Sequence, residues 1–167
     1  MNLFIIGLVT YAAFFDLMYF KIPNKSIIAI LILGLTQATL NITETHNLIP
    51  VPLFQTLLGF AVGLFICIPF YALGMFGAGD AKLLASLGII IGYPNIIHLI
   101  AITLVFSGII CVLRLACSGE LLSFIKRWIQ SFWYGVYIRP SQLSVAASGM
   151  PMGGAILLAT TYYYLYI

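Results

Sequence analysis

Long stretches without a charged side chain constrain this sequence more than any other feature. Residues 26–43, 47–79, 83–113 and 140–167 contain no Asp, Glu, Lys or Arg. Charged residues make up 7% of the chain and apolar or aromatic residues 63%, whereas soluble domains are typically about 25% charged and about 45–50% apolar. So few charges cannot cover the surface of a water-soluble domain. The composition therefore excludes a soluble globular domain, a disordered chain and a nucleic-acid-binding protein, and it predicts a polytopic membrane protein.

The apolar stretches divide into six predicted membrane spans. A bilayer core of about 30 Å needs about 20 apolar residues per helix, and fewer where the bilayer thins. The connector at 92–95 separates two spans, because its Gly and Pro favour a tight turn over a continued helix. We therefore expect an all-α membrane protein that forms a single domain over residues 1–167. The predicted spans are 3–20, 27–40, 53–74, 81–92, 96–117 and 149–167.

The segment 118–139 differs from the spans because it is amphipathic. Its apolar residues recur at helical spacing, and its polar and basic residues gather opposite them. An apolar face with Trp and a basic polar face are typical of a helix that lies in the membrane interface. We predict such an interfacial helix here, with a plain cytoplasmic loop as the alternative. The apolar positions are Leu122, Ile125, Ile129, Trp133 and Val136, and the polar ones are Ser123, Lys126, Arg127, Gln130 and Ser131.

The basic residues predict the orientation of the spans. With six spans, every Lys and Arg falls on the same side, and the positive-inside rule makes that side cytoplasmic. The opposite side then holds the segment 41–52, the turn at 93–95 and both termini. The bases are Lys21, Lys25, Lys82, Arg114, Lys126, Arg127 and Arg139.

Both aspartates of the sequence lie at the edge of an apolar stretch on the predicted cytoplasmic side. Asp16 follows the uncharged residues 3–15, and Asp80 lies between two long uncharged stretches. A carboxylate near hydrocarbon costs about 2.5–3.5 kcal/mol on insertion scales, so such residues usually have a function. The structural alternatives are that Asp80 caps the fourth helix and that Asp16 pairs with Lys21.

Each aspartate is near residues that shape a loop. Gly77 and Gly79 precede Asp80, and because they lack a Cβ they let an extended substrate chain approach closely. On the other loop, Pro23 ends the first helix, because the residue before a proline is disfavoured in the α region. Asn24 is a good N-cap for the second helix. We therefore predict a loop beside each carboxyl on the same membrane face.

Two carboxyl groups within hydrogen-bonding reach form a coupled pair. They cannot both ionise easily, so one keeps its proton while the other activates water, as in aspartic proteases. The membrane edge disfavours a second negative charge further, and the pair should titrate as one unit. The sequence thus predicts a catalytic role for Asp16 and Asp80 if the fold brings them together.

These motifs resemble the type IV prepilin peptidases, membrane aspartic proteases of the GxGD type, and the resemblance extends from the first span to the last. It implies that Asp16 and Asp80 are the catalytic residues of an endopeptidase. Such an enzyme cleaves the leader peptide of pilin-like precursors at the cytoplasmic face of the inner membrane. The matching motifs are Phe15-Asp16 followed by Lys21-Ile22-Pro23-Asn24, then Gly77-Ala78-Gly79-Asp80-Ala81-Lys82, and the proline–glycine segment Met150-Pro151-Met152-Gly153-Gly154-Ala155-Ile156.

The sequence departs from the long members of that family. They carry a cytoplasmic insert with paired CxxC zinc ligands and a second, N-methylating activity, whereas this sequence has no CxxC. It is most similar to the compact peptidases of Flp (tight-adherence) pilus systems. The resemblance implies no metal or other cofactor, and as partners a pilin-like precursor, the lipid bilayer and the pilus assembly machinery. Pilin-like precursors typically carry an acidic residue shortly after the cleaved bond, and Lys82 is our candidate to pair with it.

Three other functions fit parts of the pattern. A GxGD protease for another class of membrane substrate shares the motifs. A small transporter or proton channel would use the two aspartates as a proton relay, although the sequence lacks the two related halves common in transporters. A structural subunit of a secretion machine would use them as contacts between helices.

Reporter fusions test the predicted topology. We expect fusions near Lys25, Lys82 and Lys126 to report the cytoplasm, and fusions near His46 and at the C-terminus to report the outside, because the basic loops stay inside. A cytoplasmic C-terminus would contradict the six-span arrangement and require the short fourth span to be redrawn.

Overall fold

The chain folds into α-helices, as the sequence predicts. The structure, a computed structural model, describes residues 2–19, 21–40, 53–74, 76–135, 144 and 151–166. Within these residues it has seven helices and no strand. The helices are α1 (Asn2–Tyr19), α2 (Asn24–Leu40), α3 (Leu53–Ala72), α4 (Ala78–Ile91), α5 (Asn95–Cys117), α6 (Leu121–Tyr134) and α7 (Gly153–Tyr166).

Internal contacts divide the chain into two compact units. The first comprises Met1–Phe106 and Pro151–Ile167, and the second comprises Ser107–Met150. The first unit contains α1 to α4, the beginning of α5, and α7. The second contains the end of α5, and α6. Both aspartates therefore belong to the first unit.

The central helix of the first unit is α4. Every residue from 83 to 91 is buried, because α3 and α2 both pack along this helix. An enclosed helix is apolar on all sides and shows no single hydrophobic stripe. The buried core joins α4 to five other helices through Ile5, Val9, Ala12, Ile27, Ile30, Cys67, Phe76, Leu83, Leu84, Leu87, Ile90, Ile91, Ile96, Leu99, Ile100, Met152, Ile156 and Ala159.

Glycines allow α3 and α4 to approach closely. A Cβ built on Gly59 would collide with the carbonyl oxygen of Gly88 and would lie 2.8 Å from the Cα of Gly92. These are backbone atoms, which cannot move aside as a side chain does. Gly92 also has a φ of 73°, a left-handed conformation that favours glycine. The N–H of Tyr93 donates to the carbonyl of Gln55 at 3.1 Å, so the turn after α4 is attached to the start of α3.

The helix boundaries confirm most of the predicted organisation and correct the role predicted for one residue, Asn24. The connector predicted at 92–95 lies between α4 and the start of α5. However, α2 begins at Asn24 itself, so Asn24 is the first helical residue and not the N-cap. The reason is that the first turn already forms at Pro23, whose carbonyl accepts bonds from the N–H of Ser26 at 3.1 Å and its hydroxyl at 2.7 Å.

Within the described residues, two helices are long and apolar enough to cross a membrane, judged by length and composition. They are Leu53–Ala72 and Asn95–Cys117, with mean hydropathies of 2.1 and 2.7. The apolar stretches within α1 and α2, Phe4–Tyr19 and Asn24–Ala38, are shorter. The 14 residues of α4 extend over about 21 Å at about 1.5 Å per residue. The six-span arrangement thus remains a prediction. Two segments that it includes, 41–52 and 149–150, lie outside the described residues.

The amphipathic helix predicted at 118–139 is present over Leu121–Tyr134, and residues 136–139 lie outside the described residues. Its large aromatic side chains are exposed, with 83% of Trp133 and 86% of Phe132 accessible. A shallow apolar groove runs along this face, lined by Phe124, Ile125, Trp128, Ile129, Phe132 and Trp133. The location of this helix in the membrane interface stays a prediction.

A single added methyl group tests the contact between α3 and α4. We expect Gly59→Ala to destabilise the protein by about 1–3 kcal/mol, because the added carbon overlaps backbone atoms of α4. Gly7→Ala is the matched control on α1, since its Cβ would meet nothing within 4 Å, and alanine favours a helix over glycine by about 1 kcal/mol. Thermal unfolding in detergent measures both, and equal stability of the two variants would contradict the close contact.

Candidate active site

Asp16 lies in the last turn of α1 and is buried, with 6% of its surface exposed. Its Oδ2 accepts a hydrogen bond from the backbone N–H of Gly153 at 2.7 Å, across 137 residues of sequence. Gly153 is the first residue of α7, where backbone N–H groups have no partner inside the helix. The carboxyl of Asp16 therefore connects the end of α1 to the beginning of the last helix.

Asp80 is the third residue of α4 and is 7% exposed. Its Oδ2 accepts a hydrogen bond from the N–H of Gly77 at 3.1 Å. This contact is half of a capping box, so Asp80 does help to cap its helix. Its other oxygen, Oδ1, is buried and has no hydrogen-bond partner among the described residues. Capping thus accounts for one oxygen of this carboxyl, and the other remains free for another role.

The two carboxyls are close enough to interact electrostatically. Asp80 precedes the predicted span at 81–92 and lies outside both candidate spans. Its pKa is raised to about 6, chiefly by burial and then by the negative charge of Asp16, while the hydrogen bond from Gly77 opposes the rise. Burial acts this way because a low-dielectric environment disfavours the charged form. The fold therefore brings together the two residues that sequence analysis singled out.

The segment that follows α1 contacts the start of α4. A Cβ built on Gly79 would lie 3.1 Å from the Cβ of Ile22, and one on Gly77 would lie 2.8 Å from Oδ2 of Asp80. The missing side chains thus leave room for Ile22, next to the half-buried Pro23, and for the carboxyl itself. Substrate binding by Gly77 and Gly79 stays a prediction.

A buried aromatic residue fixes the segment that leads into α4, the helix that carries Asp80. Phe76 is 4% exposed, and its ring stacks on that of Phe70 with centroids 5.3 Å apart. Its N–H donates to the carbonyl of Phe70 at 3.3 Å. Since Gly77 follows directly, this anchor helps to hold the N–H that bonds to Asp80.

Lys82 does not share a face of α4 with Asp80. The lysine is exposed, whereas the aspartate is buried. Residues two apart are separated by about 200° around a helix and do not face each other. Lys82 could therefore contact a substrate only on the exposed side of α4, away from the two buried carboxyls.

Sequence reasoning assigned no role to two residues that lie near the carboxyls. Gly153 donates to Asp16 through its backbone, and every residue except proline carries that donor, so residue type gives no signal. Cys67 of α3 is fully buried and interacts electrostatically with Asp80. Within the described ranges, no group of three His, Cys, Asp or Glu side chains could hold a metal ion.

A comparison with known families confirms the resemblance for the two motifs that carry the aspartates, whereas the segment 150–156 lies outside the match. The sequence profile of the type IV leader peptidase family matches residues 3–112, which are 110 of the 167 residues and include both aspartates. No curated protein and no solved structure matches the chain significantly. Since the match covers more than half of the chain, the protein belongs to the type IV leader peptidase family of membrane-embedded prepilin leader peptidases, whose substrates are pilin precursors.

Proposed function

We propose that Asp16 and Asp80 are the catalytic pair of an aspartic endopeptidase that cleaves the leader of Flp-type pilin precursors. The observation that carries this proposal is that both carboxyls are buried and interact electrostatically, with Asp16 bonded to the start of α7 and Asp80 in the first turn of α4. Two interacting carboxyls that share a proton can activate water and protonate the scissile carbonyl in turn. The free Oδ1 of Asp80 offers an oxygen for that chemistry.

The position of the pair suits a substrate cut next to a membrane-spanning segment. Asp80 lies in the first turn of an apolar helix, and Asp16 lies in the last turn of another. In our proposal these ends face the cytoplasm, because all seven bases fall on that side of the six predicted spans. The enzyme would then be a multi-pass inner-membrane protein that meets the precursor before its export and works beside the pilus assembly machinery.

The second unit contributes a membrane contact in this proposal. The exposed aromatic face of α6 would insert at the level of the lipid headgroups, with Lys126 and Arg127 towards anionic lipid and water.

The sequence between the two motifs that carry the aspartates contains no CxxC. We therefore propose one peptidase domain without a zinc insert or N-methylating activity.

Replacing either carboxyl tests the catalytic pair. We expect Asp16→Asn and Asp80→Asn each to lower processing of a co-expressed Flp-type precursor by at least about 10²-fold, because each removes one half of the acid–base pair. The double variant should be no slower than the singles, since residues that act as a unit are not additive. Leader removal on a gel measures all three.

Glu120→Gln is the matched control, because it makes the same acid-to-amide change in the second unit. It should process the precursor like the wild type. Substantial activity in either aspartate variant would remove that residue from the mechanism. If the wild type processes none of several Flp-type precursors, another membrane substrate or a transport role becomes the better explanation.

A double-mutant cycle tests whether Lys82 pairs with an acidic residue of the precursor. We expect Lys82→Gln to slow processing of a normal precursor up to about fivefold, the size of an exposed ion pair. The same change should matter little for a precursor whose acidic residue is neutralised. Two losses that simply add would show that Lys82 does not recognise that acid.

A further inference from the structure

The two buried carboxyls differ in their hydrogen-bond partners. Asp16 accepts a short bond of 2.7 Å from another helix, whereas Asp80 accepts one of 3.1 Å from its own loop. Oδ1 of Asp80 is buried without a partner among the described residues. A buried oxygen without a donor disfavours the ionised carboxyl, while a donated N–H favours it. The surroundings are therefore better suited to a charge on Asp16 and a proton on Asp80.

We propose that the backbone amide of Gly153 is a positioning group that holds Asp16 as the ionised member of the pair, which makes Asp16 the base and Asp80 the acid. This assignment rests on the proposed proteolytic function. The N-terminus of α7 adds to the single hydrogen bond, because its N–H dipoles favour a negative charge. The raised pKa of Asp80 agrees with a proton there.

The roles follow for peptide hydrolysis. Asp16 accepts a proton from water as the water oxygen bonds to the scissile carbonyl carbon, and Asp80 gives its proton to the carbonyl oxygen. As the carbon–nitrogen bond breaks, Asp16 passes its proton to the leaving nitrogen, and Asp80 takes one back from a hydroxyl of the intermediate. Both carboxyls return to their starting states, and one water has been consumed.

The position of Gly153 admits no larger residue without movement of Asp16. A Cβ there would lie 2.9 Å from the Cβ of Asp16, 3.0 Å from the Cα of Ala13 and 3.0 Å from Oδ2 of Asp16. The next residue, Gly154, has nothing within 4 Å of the same point. The chain thus offers two adjacent glycines at the start of one helix, of which only the first contacts the aspartate.

Among the residues that the structure describes, few other titratable groups interact with the pair. Asp80 of α4 interacts electrostatically with Asp16, and Cys67 of α3 with Asp80. On α7 the titratable groups are tyrosines, the first of which, Tyr162, comes nine residues after Gly153. The lysines that flank these elements are exposed, namely Lys21, Lys25 and Lys82.

The pH dependence of processing tests the role of Gly153 in the full-length protein reconstituted in bilayers, with an Flp-type precursor as substrate. We expect Gly153→Ala to move the acid limb of the profile to higher pH by about one unit, which is a tenfold change in proton affinity. The reason is that the carboxylate of Asp16 loses a well-placed hydrogen-bond donor. Gly154→Ala should keep the wild-type profile. A slower Gly153→Ala enzyme with an unmoved acid limb would overturn the positioning role.

Infrared spectroscopy tests the assignment of the proton without any substrate. In weakly acidic buffer, the absorption of protonated carboxyl should be stronger in Asp16→Asn than in Asp80→Asn, because Asp80 is the group that holds the proton. The reverse order would place the proton on Asp16 and overturn the assignment, even if Gly153→Ala does not fold. A wild type that cleaves no precursor would refute the proposed function, and the order of the infrared signals would still decide this inference.

Discussion

The hydrogen bond between Gly153 and Asp16 links the two ends of the chain inside the first unit. It is short and buried, and it joins the last turn of α1 to the first turn of α7. A carboxylate removed from water needs donors to replace those it loses. The unpaired N–H groups at a helix start supply them without any additional charge. The docking of α7 against α1 is therefore coupled to the environment of Asp16.

The second aspartate depends on a different constraint, the burial of α4. Close contacts at Gly59 and Gly88 allow α3 to pack against this helix along its backbone, and α2 packs along it as well. Because α4 is enclosed, a carboxyl in its first turn is buried although it is near the end of the helix. The stacked Phe76 and the N–H of Gly77 fix the direction of that turn. The burial of Asp80 in turn raises its pKa.

Helix α6 of the second unit shows the opposite pattern, because several of its large apolar residues are exposed. Trp128, Phe132 and Trp133 together cover one face of α6. The helical spacing of Leu122, Ile125, Ile129, Trp133 and Val136 made this element predictable, because the apolar face of an amphipathic helix is visible in its own sequence. The sequences of the predicted spans in the first unit show no such apolar face and so predict less about their packing. When a helix is apolar on all sides, its sequence predicts that the helix exists and approximately where it ends. It does not predict which helices pack against it.

The sequence by itself determined that the protein is helical, where each helix approximately ends, and that the two aspartates are the candidate functional residues. These follow from uncharged stretches, from Gly and Pro breakers, and from the scarcity of carboxyls near hydrocarbon. Only the tertiary structure decided that both aspartates are buried and interact electrostatically, that α2 begins at Asn24, and that Gly77 and Gly79 leave room for Asp80 and Ile22. It alone revealed the amide of Gly153 beside Asp16, because that donor is a backbone group common to almost every residue. Long-range contacts of this kind are made between helices, so no local pattern in the chain encodes them.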